Sequence, residues 1–99
     1  MSYRLSVKAD NDFKAIYKYT YINFSERLAD KYTESFEGCS SLLSKNPSIG
    51  RVASHIKQGL CRHEHQEHLI FYKKRKSDIF IVRIPHNSVN VPRVFLNTN

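Results

Sequence analysis

Long apolar runs are missing from this chain of 99 residues. No stretch approaches the ~20 apolar residues of a membrane span, and the opening MSYRLSVK lacks the apolar centre of a secretory leader. A chain with neither is expected in the cytoplasm, away from any membrane. Cysteine is scarce. Cys39 and Cys61 stand alone, which excludes a disulfide scaffold and fits free thiols in a reducing compartment. Internal repeats and low-complexity tracts are absent, which excludes solenoids and tethers. Glycine and proline occur three times each, so each one acts as punctuation. Acidic residues stop at Asp78, tyrosines stop at Tyr72, and no histidine occurs before His55.

What is present is apolar and basic. Forty per cent hydrophobic and 12% aromatic residues argue against disorder. The length suits one domain, 1–99, with one core. The formal net charge of +7 is uneven. Residues 1–50 hold 7 Lys/Arg against 6 Asp/Glu, a net of +1, while residues 51–99 hold 9 against 3, a net of +6. A basic half-molecule expects an acidic partner: nucleic acid, anionic lipid or an acidic protein segment.

Residues 3–6 read as a short first strand. Ser6 is placed to cap a helix starting at Val7, in which Ala9, Phe13, Ile16, Tyr17, Thr20, Tyr21 and Phe24 share a face. Ser25 is a second cap with Glu26 in the first turn, where the helix dipole favours an acid. Leu28, Ala29, Tyr32, Phe36, Cys39, Leu42 and Leu43 then form a second stripe to about Ser44. The segment NPSIG, 46–50, ends this helix. Leu60–His65 is a candidate strand. His68–His86, HLIFYKKRKSDIFIVRIPH, reads as two strands joined by a basic turn, with Pro85 ending the second. The predicted fold is α+β: an N-terminal strand, a helical hairpin, then a three-stranded antiparallel sheet (β-α-α-β-β-β) with the helices on one sheet face.

Alternation sorts the long hairpin into two apolar sets. Ile70, Tyr72, Phe80, Val82 and Ile84 form one, and Leu69, Phe71, Ile79 and Ile81, with Arg83, the other. One helical hairpin covers one face. The second set is therefore expected to form an open apolar and basic groove for a partner segment. The alternative occupant is the chain's own C-terminal tail, which carries Val94, Phe95 and Leu96.

Two other patterns point elsewhere. Cys61, His63 and His65 share a strand face near His68, and such side chains bind zinc. Structural zinc takes four ligands in paired spacing, and C-x-H-x-H is not such a pattern, so no metal or other cofactor is expected. The run Lys73–Lys76 suits phosphate contacts without sequence reading. No recognition helix is visible, so direct DNA binding is expected to be weak and electrostatic.

The ordered set of YRLS with Ala9, Asp12, Phe13 and Ile16, then NPSIGR (46–51), Gly59-Leu60-Cys61-Arg62, HLIFY (68–72) and IVRIPH (81–86), resembles the ParE/RelE superfamily of type II toxin–antitoxin toxins. The ParE branch resembles it best, over residues 3–90. Two departures are Pro85 before His86, and Asn90 where the family often has Asp. The resemblance implies a toxin, not an enzyme, that binds DNA gyrase and stabilises cleaved DNA. It also implies a cognate antitoxin with an acidic, partly disordered segment. On this reading Leu69, Phe71, Ile79, Ile81 and Arg83 bind antitoxin, and Arg51, Arg62, Tyr72 and His86 meet the target. The RelE-like branch, ribosome-dependent mRNA endoribonucleases, is the rival. There Arg62 and Arg83 would clamp phosphate and His86 would carry a proton. The absence of tyrosine after Tyr72 and of acid after Asp78 leaves that chemistry without a second proton carrier.

Overall fold

A computed structural model describes residues 2–89 and 91–95. Strand β1 (Ser2–Leu5) leads into α1 (Val7–Asn23). Ser6 makes the junction: its hydroxyl accepts from the Ala9 amide at 2.9 Å and donates to the Val82 carbonyl at 2.7 Å. One side chain thus caps the helix and ties its start to the sheet. Ser25 caps α2 (Glu26–Lys45) in the same way, accepting from the Leu28 amide at 3.1 Å. A 3-10 turn (Pro47–Ile49) ends the hairpin. It is followed by β2 (Arg51–Val52), β3 (Leu60–His65), β4 (His68–Lys74), β5 (Asp78–Arg83) and a short α3 (Val91–Val94).

The strands form one five-stranded sheet in the order β1-β5-β4-β3-β2. β1 runs parallel to β5, and every other pairing is antiparallel. The expected three-stranded sheet is therefore widened at both edges. Residues 3–6 already read as a short strand, and β1 covers Ser2–Leu5. The two residues of β2 follow Gly50 and are too few to carry a period.

The expected division of faces is corrected. Tyr72 pairs with Ile81 and Lys74 with Ile79, so odd residues of β5 share a face with even residues of β4. The register then shifts between Phe71 and Tyr72, because Phe71 faces Arg83. A bulge of one residue reverses the alternation. Ile79, Ile81 and Ile84 thus all pack with Ile70, Tyr72, Phe36 and Leu43 under the helices. Phe80 and Val82 join Leu69 and Phe71 on the opposite face.

That opposite face is not bare. Leu69 is 5% exposed and Phe71 fully buried on it, while Ile79 and Ile81, expected on this face, are fully buried under the helices. Ala53 and Ile56, from the turn before β3, cover one part of it. Val91, Val94 and Phe95 fold back over another part, with the Phe95 ring edge-on to Phe71 at 5.0 Å. The tail supplies the cover that two helices cannot. Leu96 and Asn90 lie outside the described residues.

Candidate functional site

Two of the residues expected to act turn out to hold the fold together. Arg83 does not line a groove. Its guanidinium forms a two-point pair with Asp12 of α1, at 2.8 and 3.1 Å, and donates to the Val94 carbonyl at 3.2 Å. Asp12 also accepts from the Ile84 amide at 2.9 Å, so one carboxylate anchors α1 to the end of β5. Tyr72 is fully buried. Its hydroxyl donates to the Pro47 carbonyl at 2.6 Å and accepts from the Gly50 amide at 3.2 Å, pinning the NPSIG turn. Burial pushes this phenol above its ordinary pKa. Glycine is required at 50, since a Cβ there would overlap the Tyr72 hydroxyl and come within 2.8 Å of the Arg62 carbonyl. Tyr72 is therefore removed from the expected target surface, and Arg83, with the four buried apolar residues, from a preformed partner groove.

The open surface lies elsewhere. A groove of about 970 Å³ runs between the α1–α2 turn and the β3–β4 turn. Ile16, Tyr19, Phe24, Leu28, Tyr32 and Ile84 give it an apolar lining. Phe24 is 65% exposed, Tyr19 62% and Leu28 47%. Tyr19 lies outside both helical stripes; Phe24 and Leu28 continue them, so periodicity assigned those two to the core. Length distinguishes them. A 20-residue helix spans about 30 Å and a six-residue strand about 20 Å, so the hairpin tip outruns the sheet that would bury it.

Histidines crowd the groove's other wall. His68 Nδ1 lies 3.2 Å from the Tyr32 hydroxyl, and its ring meets His86 edge-on at 5.4 Å. His65 Nε2 is 3.0 Å from the Ser35 hydroxyl. Burial is the main cause that lowers the pKa of both His65 and His68, with charge repulsion from His63 and His86 respectively adding to it. Burial also pushes the Tyr32 phenol up to about 12. His86 is exposed. Its Nδ1 accepts from the Ser88 amide at 3.1 Å, which leaves Nε2 toward Glu67, 3.9 Å away. The ring faces the groove, and it belongs to neither arginine of the expected ribonuclease set. Arg62 pairs in register with Phe71, while His86 bridges His68 at the other end of β4, and Arg83 is held by Asp12.

Cys61, His63 and His65 do share the helix-side face of β3, but Cys61 is in the core and His65 is engaged by Ser35. Among the described residues no group of three or more His, Cys, Asp or Glu side chains is placed to hold a metal. Arg51 and Arg62 are opposite one another on β2 and β3. Arg51 is exposed and Arg62 half-buried.

The family model described as ParE toxin of type II toxin–antitoxin system, parDE, matches residues 3–91. The Toxin ParE1 of Caulobacter vibrioides is 25% identical over 88 residues, which is 89% of this chain and 91% of the relative. A solved structure described as a chromosomal ParDE TA system from P. aeruginosa superposes with a TM-score of 0.72 at 20% identity, covering 87% of this chain and 95% of that one. At that identity the superposition speaks to the fold. The family model spans most of the sequence, from Tyr3 in β1 through α1, α2 and the remaining strands, and on that ground the chain belongs to the ParE toxins of type II toxin–antitoxin systems.

Proposed function

We propose that this chain acts in the cytoplasm as a toxin that binds DNA gyrase, stabilises its cleaved DNA complex and is silenced by a cognate antitoxin. The family match over residues 3–91 carries this reading. The relative named Toxin ParE1 and the neighbour described as a ParDE system agree with it. A binding mode of action fits the disposition of the side chains, because the arginine and tyrosine nearest to a ribonuclease pattern are spent on the fold.

The antitoxin segment occupies the groove between the α1–α2 turn and the β3–β4 turn. A disordered segment offsets its ordering cost by burying apolar surface, and Tyr19, Phe24 and Leu28 are where such surface is exposed. The gyrase contact uses Arg51 on the edge strand, which leaves the groove free. The test combines purified chain, gyrase and supercoiled plasmid. Cleaved DNA trapped on the enzyme is expected, and co-purified antitoxin abolishes it. Phe24→Ser with Leu28→Ser is expected to weaken antitoxin protection about 10–100-fold, as loss of aromatic and aliphatic anchors does at interfaces, while gyrase trapping persists. Absence of trapped DNA together with cut messenger on ribosomes overturns the proposal.

A further inference from the structure

The sheet face opposite the helices changes character toward the β4–β5 turn. Tyr3 and Leu5 of β1 pack under the helices, which turns Arg4 to the other side. Arg4 pairs with Phe80, and Phe80 with Lys73, so Arg4 and Lys73 stand in one row across three neighbouring strands. Leu60 pairs with Lys73 and faces away from the helices, so Arg62, two residues on, stands diagonally from Lys73. Strand spacing puts Arg4 about 10 Å from Lys73, and the diagonal puts Arg62 about 8 Å from it. Arg75 lies 4.7 Å over the Phe80 ring. Among the described residues Arg4, Arg62 and Lys73 make no salt bridge, whereas the local acid Asp78 is spent on Arg75 at 2.6 and 2.7 Å.

The apolar residues of this face are already covered by the chain's own Ala53, Ile56, Val94 and Phe95. A peptide folding here finds charge but little apolar area to offset its ordering. A sugar–phosphate backbone needs only charge, offered at intervals over a broad surface. We propose that Arg4, Arg62 and Lys73 bind the phosphate backbone of duplex DNA, independent of sequence. At the target this contact adds to the protein one, so the toxin prefers gyrase that already holds DNA. The surface alone carries the inference, which goes beyond the gyrase reading, and binding without gyrase tests it separately.

The experiment is fluorescence anisotropy of the full chain with a short labelled duplex, between about 50 and 200 mM salt. Three phosphate contacts give a log–log salt slope of about −2.7. The triple variant Arg4→Gln, Arg62→Gln, Lys73→Gln is expected to lose at least tenfold in affinity and most of that slope. A matched triple on the helices, Lys14→Gln, Lys18→Gln, Arg27→Gln, loses less than threefold. Lys73→Gln alone lowers affinity several-fold, which covers a triple that fails to fold. Equal losses from the two triples overturn the proposal, since diffuse charge then explains binding. Binding of a poly-glutamate peptide or a single-stranded RNA more tightly than the duplex overturns it as well.

Discussion

Asp12 and Arg83 are 71 residues apart in sequence and meet in a two-point ion pair that is about four-fifths shielded. Asp12 also accepts from a backbone amide, so its removal leaves a guanidinium and an N–H without partners. Asp12→Ala is expected to cost about 2–3 kcal/mol in urea unfolding, the range for charged hydrogen bonds lost from partly buried sites. Arg83→Ala is expected to cost a similar amount, and any loss of toxicity should follow the loss of folded protein. Tyr72→Phe, which frees Pro47 and Gly50 while keeping the ring, should cost about 1–2 kcal/mol and lower the melting temperature. The sequence shows caps such as Ser6 and Ser25 because their partners are three residues away. It does not show that Arg83 belongs to Asp12 or that the Tyr72 hydroxyl belongs to Pro47, because those partners are set by the tertiary fold.

At the scale of elements, both helices and the β4–β5 hairpin follow from periodicity, and their observed bounds differ little from expectation. The division of faces does not follow. A bulge moves no residue type, yet it reverses which side each later residue meets. The tail was legible as an apolar triplet and as the alternative cover for that face, and the structure takes this alternative with Val94 and Phe95. Phe95→Ala removes the ring packed on Phe71 and should cost about 3 kcal/mol, with new binding of an apolar dye where Leu69 and Phe71 are uncovered. The β3–β4 end carries a pH dependence. Folding lowers the pKa of His65 and His68 from the ordinary 6.5. The unfolded chain therefore binds more protons below that value. Stability is full above pH 6.5 and falls as pH drops from there toward the folded values. The urea midpoint should be lower at about pH 5.5 than at about pH 7.5, and His68→Phe should flatten the difference.

Across the whole molecule, surface use is divided between the ends of β4. Seven residues of strand, about 23 Å, separate the turn beside the apolar groove from the turn beside the basic face. The charge imbalance between halves announced the second surface in the sequence. The first was hidden, because an exposed helix tip and a buried helix middle carry the same periodic residues. On the proposed reading the antitoxin binds at one end and gyrase at the other, so the two contacts need not compete for side chains. The most direct measurement is timing in cells. After induction of the chain, DNA breaks and damage signalling are predicted to rise while translation still proceeds, and antitoxin co-expression should suppress both. A prompt fall in translation with cut messenger RNA and intact chromosomes would contradict the account.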